Sequence, residues 1–225
     1  MLAVIGLVAT MAGGARAEAA AAPDAGATIA QKGNDRLAPC ATCHGAQGEG
    51  NAAIGGPRLA GLGASYIVEQ LDAFADKSRG NPIMLSIAQS LPVAERAAVA
   101  AYFSSLPSPG VGAPDAAAGS LGARLALRGR WSEQLPGCEQ CHGPGGAGIS
   151  PAFPPLAGLP ARYIEAQLQA WKTATRPPGP LGLMAAVAGR LSNEDIAAVA
   201  GYFASMKVTP QSTSIKSGAI GGATP

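Results

Sequence analysis

The sequence C-A-T-C-H at residues 40–44 occurs a second time, as C-E-Q-C-H at residues 138–142. Both stretches have the form C-x-x-C-H, the pattern by which c-type haem is attached to a protein. Two thiols at this spacing can bond to the two vinyl groups of one haem, and the adjacent histidine then reaches the iron from the same face. The sequence therefore predicts two covalently bound haems c, one at each motif.

The cysteine and histidine content favours haem over other uses of a C-x-x-C pair. The chain has four cysteines and two histidines, and the two motifs account for all of them. A zinc site built from two such pairs usually separates them by about 15–20 residues, whereas these motifs begin at residues 40 and 138. A redox-active disulfide would leave the histidine of each copy unexplained. Zinc is thus the alternative to haem, at an unusually long spacing.

The similarity of the two halves extends beyond the motifs. Leu59 recurs 97 residues later as Leu156, and Met84 recurs 100 residues later as Met184. The shift falls in the loop R-P-P-G-P at residues 176–180. A repeat of about 100 residues indicates a domain duplication rather than a solenoid. We expect an all-α protein of two tandem domains, each a small helical domain wrapped around one covalently attached haem.

The N-terminus resembles a secretory signal. Residues 1–11 are apolar and Ala15-Arg16-Ala17 is a cleavage pattern, although the usual basic start is missing. The alternative is an uncleaved anchor, but the apolar run is shorter than the roughly 20 residues that span a bilayer. Cleavage after Ala17 predicts a periplasmic protein, and export suits the motifs because c-type haem is attached outside the cytoplasm.

Composition and helical periodicity set the remaining boundaries. The expected segments are a signal peptide at 1–17, a flexible lead-in at 18–26, a first domain at 27–107, a Pro/Gly-rich linker at 108–120, a second domain at 121–207 and a disordered tail at 208–225. The expected helices cover about residues 27–37, 66–77, 84–90 and 92–106, then 122–131, 161–175 and 193–206. In each domain the last helix, which ends in Tyr-Phe, is expected to pack on the first helix near Gly33 or Gly129.

Charge and composition restrict the partners. The chain carries 16 basic and 14 acidic residues, a net charge of +2, with no basic stripe or run of like charge. Nucleic acid is therefore not an expected partner. Aromatic residues make up only 4% of the chain, so the apolar faces of two haems would supplement cores built largely from alanine and leucine.

Each haem iron has two axial positions, and His44 and His142 are expected to fill one position each. Of the five methionines, only Met84 and Met184 are paired by the repeat, which makes them the candidates for the second position. The alternatives are that both methionines fill gaps in an apolar core, or that an iron is left open or takes another ligand. Histidine–methionine ligation raises the reduction potential and leaves no coordination site for a substrate.

Prolines and leucines that follow each motif are candidates for supporting the histidines. A ligating histidine needs its second ring nitrogen held, and the carbonyls of Pro57 and Pro154 are expected to accept from Nδ1–H of His44 and His142. The alternative is that the prolines only stiffen a turn. Leu59 and Leu156 are expected to pack on the histidine side of each haem.

Two arginines occupy matching places before the methionine loops. Arg79 and Arg176 are each expected either to pair with a haem propionate or to be solvated. Tyr66 and Tyr163 open matching helices and could bond propionates or simply pack.

Together these features resemble the di-haem class I cytochromes c, most of all the cytochrome c4-like family. The resemblance covers about residues 27–206 and rests on both C-x-x-C-H-G motifs, the P-x-L-x-G segments, the two methionine loops and the final Tyr-Phe helices. It implies two cytochrome c folds facing each other across a pseudo-two-fold axis. It also implies thioether links at Cys40, Cys43, Cys138 and Cys141.

The resemblance further implies a periplasmic carrier of single electrons between respiratory-chain partners. Its donor would be a quinol-oxidising complex or a dehydrogenase, and its acceptor a terminal oxidase. Loose membrane association is compatible with it, and no oligomer is implied. The alternatives are an electron-transfer subunit of a larger complex, or a di-haem enzyme such as a thiosulfate dehydrogenase or a peroxidase-like protein, which would need an unusual ligand or an open iron.

Overall fold

The computed structural model describes residues 15–209, apart from the side chains of residues 15–23 and 180. Residues 1–14 of the predicted signal peptide and residues 210–225 of the predicted tail lie outside the described residues. In the described part, no helix combines the length and apolar character needed to cross a membrane.

The first domain contains five helices that surround one apolar core. They are α1 (Ala15–Lys32), α2 (Ala41–His44), α3 (Ala64–Ala75), α4 (Pro82–Ser90) and α5 (Val93–Ser105). Helix α3 buries Ile67, Leu71 and Phe74 at helical spacing, so it presents a continuous apolar face to the core. Asn81 caps α4 by accepting a hydrogen bond from the backbone nitrogen of Met84, which fixes the start of the helix that carries this methionine.

The second domain repeats this order. Its helices are α6 (Leu121–Leu127), α7 (Glu139–His142), α8 (Ala161–Lys172), α9 (Leu183–Gly189) and α10 (Asn193–Ala204). Helix α10 begins with the capping box expected from the sequence, in which Ser192 and Asp195 each satisfy a backbone N–H of the other. Phe103 in α5 and Phe203 in α10 are almost fully buried, so the Tyr-Phe pairs belong to the two cores as expected.

The predicted flexible lead-in is wrong. Residues 18–26 form part of α1, which begins at Ala15. The alanine-rich composition explains the helix, because alanine has the highest helix propensity of all residues, and it outweighs the single Pro23.

The predicted linker and the start of the predicted tail also form regular structure. Strand β1 (Gly110–Pro114) pairs antiparallel with β2 (Met206–Thr209), and Val111 lies opposite Val208. Both valines pack against the core of the second domain. Their burial pins the linker to that domain, which the high proline and glycine content of the linker did not indicate.

The expected helix contacts at Gly33 and Gly129 are wrong in position. Both residues have positive φ and lie just after the first helix of their domain, where glycine commonly ends a helix. The close approach occurs instead at Gly26 and Gly122. A Cβ atom there would lie 2.1 Å from the carbonyl oxygen of Ala98 and 2.2 Å from that of Ala198, respectively.

Candidate haem sites

Each motif places two thiols and one imidazole on a single helical turn. In the first motif, Cys40 precedes α2, Cys43 lies three residues on, and the backbone nitrogen of His44 donates to the carbonyl oxygen of Cys40 at 2.9 Å. The second motif has the same bond from His142 to Cys138, also at 2.9 Å. All four cysteines are free thiols, so each pair is available for thioether attachment.

Both histidines are buried and held in one orientation. Nδ1 of His44 lies 2.8 Å from the carbonyl oxygen of Pro57, and Nδ1 of His142 lies 2.7 Å from that of Pro154. A carbonyl oxygen only accepts, so Nδ1 carries the proton and Nε2 keeps its lone pair for a metal. Burial lowers the pKa of each histidine, more than the hydrogen bond to proline raises it. The hydrogen bonds expected from the two prolines are therefore present.

The other candidate ligands gather on the same cores. Cys40, Leu59 and Met84 are partly buried and pack against the apolar cluster of the first domain. The second domain has the same arrangement, with Cys138, Leu156 and Met184 against its own cluster. A thioether donor, an apolar side chain and an oriented imidazole on one core fit a haem in each domain.

The structure does not bring the two motifs together. Cys40 packs on one core and Cys138 on the other, so the cysteine pairs are not arranged around a common metal ion. Within residues 15–209, no three His, Cys, Asp or Glu side chains are grouped as a metal site would require. This arrangement does not support the zinc alternative.

Arg79 and Arg176 lie at the boundary between the domains. Both are buried, with 6% of each residue exposed, so of the two alternatives left open by the sequence, the solvated arginine is wrong. Each guanidinium stacks on an aromatic ring of its own domain, Arg79 on Phe74 and Arg176 on Trp171. This stacking offsets part of the cost of removing the charge from water.

The two arginines form a reciprocal hydrogen-bond network with two glutamines. Arg79 donates to Oε1 of Gln70 at 2.8 Å and, across the boundary, to Oε1 of Gln167 at 2.6 Å. Arg176 donates to Gln167 at 2.9 Å and, across the boundary, to Gln70 at 3.0 Å. Each glutamine therefore serves both domains, and the network ties the two halves together.

Each arginine also donates to the tyrosine of the opposite domain, Arg79 to Tyr163 at 3.1 Å and Arg176 to Tyr66 at 3.3 Å. Burial, followed by the positive charge of Arg79, lowers the pKa of Arg176. Burial, followed by the neighbouring Tyr163, raises the pKa of Tyr66. Among the described residues, neither arginine makes an ion pair with a carboxylate. The boundary thus holds two positive charges that the described protein does not neutralise.

The sequence indicated the two arginines as site residues, but it did not indicate the two glutamines or Arg58. Gln70 and Gln167 are matched by the repeat, and that pairing was the available signal. Arg58 has proline in the corresponding place of the second half, at residue 155, so the repeat gave no reason to select it. Its guanidinium nonetheless reaches across the boundary, where Nη1 donates to the carbonyl oxygen of Ala157 at 3.1 Å.

Two helical domains, each with a haem attachment motif and an oriented histidine, define a di-haem c-type cytochrome that carries electrons. The model of the cytochrome c family matches residues 24–107 and again residues 133–207. The chain therefore belongs to the cytochrome c family, and it carries two covalently attached haems c.

Known relatives share this two-domain arrangement. A thiosulfate dehydrogenase electron acceptor from Stutzerimonas stutzeri is 48% identical over 176 residues, which are 77% of this chain and 81% of that protein. Among solved structures, cytochrome c4 from Pseudomonas stutzeri superposes with a TM-score of 0.70 at 31% identity, over 82% of this chain and 98% of that chain. Thiosulfate dehydrogenase (TsdBA) from Marichromatium purpuratum gives a TM-score of 0.75 at 44% identity, over 82% of this chain and only 40% of that chain.

Proposed function

We propose that each iron is coordinated by one histidine and one methionine, His44 with Met84 and His142 with Met184. The carrying observation is that each methionine packs on the same core as the cysteine of its motif, while the prolines hold each Nε2 free. Bound haem supplies reversible one-electron chemistry at iron. Because protein ligands fill both axial positions, the chain's own residues favour electron transfer over substrate binding.

The buried arginines support a role beyond tying the domains together. We propose that Arg79 and Arg176 are neutralised by haem propionates, because two buried guanidinium groups need negative charge close by. Tyr66 and Tyr163 already accept hydrogen bonds from these arginines, so their own hydroxyl protons are free for the same carboxylates. We also propose that Leu59 and Leu156, which are partly buried against the two cores, pack on the histidine side of each haem.

We propose that the electron donor is a thiosulfate-oxidising dehydrogenase and that the two proteins interact in the periplasm. Support comes from the relative named as a thiosulfate dehydrogenase electron acceptor and from the likeness to part of TsdBA. The apolar N-terminus with its cleavage pattern supports export. For the acceptor we propose a terminal oxidase, which is what the resemblance to the cytochrome c4-like family implies.

Exposed apolar side chains beside the methionines offer a surface for electron uptake. Ile83 is 68% exposed and precedes Met84, and Leu183 is 47% exposed and precedes Met184. Their matching positions place an apolar contact at the methionine end of each domain, where a partner can approach without displacing charged groups.

Stopped-flow reduction tests this donor. The oxidised di-haem protein is mixed with a thiosulfate dehydrogenase and thiosulfate, and haem reduction is followed by absorbance. We expect both haems to be reduced through the enzyme and not by thiosulfate alone at the same concentration.

Ile83→Glu or Leu183→Glu should slow the reaction at the domain used for docking. Val93→Glu is the control. Val93 is 73% exposed but is not adjacent to a methionine in the sequence, so we expect an unchanged rate. If the enzyme does not accelerate haem reduction, the proposed donor is wrong. The function as an electron carrier would then be tested with an oxidase.

A further inference from the structure

Arg58 is a buried cation that the symmetry of the molecule does not explain. It is 5% exposed, and the described residues provide no carboxylate partner for it. Its Nη1 reaches Ala157 in the second domain, while its Nε is buried without any hydrogen-bond partner. Burial lowers the pKa of Arg58, because it removes the guanidinium from water.

A cavity of about 120 Å³ lies beside this guanidinium, between the two domains. Since a water molecule takes up about 30 Å³ in the liquid, the cavity is large enough for a small polyatomic anion. Tyr66, Ser108 and Ser150 bring hydroxyl groups to its wall, and Phe153 brings an aromatic ring. No acidic side chain is among the described residues that line it.

The geometry points to an anion-binding site in this cavity, in which Arg58 binds a carboxylate or a small oxyanion between the domains. A charge-assisted hydrogen bond from Nε would satisfy a buried donor that lacks a partner, and the negative charge would neutralise the buried cation. The hydroxyl group of Ser150 on the wall can donate a further hydrogen bond to the same anion. Because Arg58 already binds the backbone of the opposite domain, an anion here stabilises the contact between the domains.

Two sources could supply this chemistry, a free oxyanion from solution or a propionate of a haem already attached to the chain. The site is separate from the axial ligands and from the proposed electron donor, so its test is independent of both. The experiment uses the di-haem protein with sulfate as the probe, and a bulky sulfonate buffer keeps the ionic strength constant. The variant is Arg58→Met, which removes the charge and keeps an unbranched side chain.

The matched control is Arg162→Met. Arg162 also crosses the domain boundary to a backbone oxygen, from Nη2 to Ala52 at 2.9 Å, but this contact is exposed. Arg162→Met therefore removes a hydrogen bond between the domains without removing a buried charge. General stabilisation by sulfate affects both variants alike and cancels in the comparison.

If the anion is free, sulfate should raise the melting temperature of the wild type and of Arg162→Met with saturation, on the order of 4 °C at ten times the dissociation constant. The same titration should leave Arg58→Met with only the linear effect of salt. If the anion is a propionate, sulfate should have no saturable effect, and Arg58→Met should lower the reduction potential of one haem while Arg162→Met does not. Either result supports the site.

The proposal is overturned if Arg58→Met and Arg162→Met behave alike in both the sulfate titration and the redox titration. Arg58→Lys keeps the charge and covers the case in which Arg58→Met fails to fold. Arg58→Lys should retain the property that the wild type shows, either the saturable sulfate effect or the wild-type potential. Loss of that property in Arg58→Lys, as complete as an uncharged side chain would cause, would also overturn the site.

Discussion

Backbone carbonyls, rather than acidic side chains, orient the two histidines. The oxygens of Pro57 and Pro154 lie within 2.8 Å of the Nδ1 atoms, and proline prevents the local chain from rotating freely about φ. A carbonyl does not titrate and only accepts, so each neutral imidazole is held in the tautomer with its proton on Nδ1. The histidine geometry therefore needs no ionisable partner near the iron, and a change in pH does not disturb it through this bond.

Asp195 in α10 should make the free energy of unfolding depend on pH. Its carboxylate accepts from Arg130 at 2.6 Å and from the backbone nitrogen of Ser192 at 2.9 Å. Burial opposes ionisation, but these contacts outweigh it and the pKa of Asp195 is lowered. Asp195→Asn should reduce the free energy of unfolding at neutral pH by about 1–2 kcal/mol, the range for loss of a helix cap.

The sign of the pH effect follows from this direction. A carboxyl group with a folded-state pKa below its unfolded value of about 3.9 stabilises the protein above that pH. The contribution is lost as the pH falls through the folded pKa, so the variant and the wild type should converge in acid, once the pH is below that folded pKa. Urea unfolding between neutral and acid pH measures this, with Glu194→Gln on the exposed side of the same turn as control. A difference that persists unchanged in acid would show that the charge is not the cause.

The residues that the sequence could predict are those fixed by motif or by repeat. The cysteines and histidines follow from the motif and the paired methionines from the repeat. The structure packs Cys40 and Met84 on one core, and Cys138 and Met184 on the other. Arg79 and Arg176 were selected correctly as a matched pair, but their burial depends on the packing of two domains against each other, which no local spacing encodes. Arg58 lacks a counterpart in the repeat, so only the three-dimensional structure reveals it.

Among the helices, close contacts between the first and last element of each domain define the fold. Gly122 allows α6 to approach α10 so closely that a Cβ atom would lie 2.2 Å from the carbonyl oxygen of Ala198. Gly122→Ala should therefore separate the helices and reduce the free energy of unfolding by about 1–3 kcal/mol, as overpacking usually does.

Gly201 provides the matched control for this prediction. It lies within α10 and is exposed, and a Cβ atom there would meet nothing within 4 Å. Gly201→Ala should stabilise the protein by about 0.5–1 kcal/mol through helix propensity alone. Thermal or urea unfolding of both variants checks the opposite signs. A stabilising Gly122→Ala would mean that the two helices do not pack as closely as this structure shows.

Helices were predictable from a regular spacing of apolar residues, as in α3, or from a capping box, as in α10. Elements were missed where tertiary contacts override local composition. The strand β1 contains glycine and proline and is held by pairing with β2 and by the contact of Val111 with the second core. Likewise, α1 extends to Ala15 through residues that Pro23 and Gly26 suggested were irregular.

For the whole molecule, the boundary between the domains concentrates buried positive charge. Removing one of these charges should stabilise ferric over ferrous iron and lower a reduction potential. Arg79→Met and Arg176→Met are each expected to lower at least one potential by tens of millivolts, the order given by a unit charge at about 10 Å and an effective dielectric constant of about 20. Redox titration followed at each haem measures this.

Arg128→Met is the control for the same titration, because Arg128 is exposed and solvent screens its charge. Its potentials should match those of the wild type. If the Arg79 and Arg176 variants also match the wild type, the buried arginines serve only to hold the domains together.

The central claim for the whole molecule is that methionine closes the second axial position of both irons. Carbon monoxide titration of the fully reduced protein tests it most directly, with Met84→Ala and Met184→Ala for calibration. We predict that the wild type binds no carbon monoxide under conditions in which each variant binds one equivalent at one haem. Ready binding by the wild type would contradict the account, because it would show an open iron and favour an enzyme over a carrier.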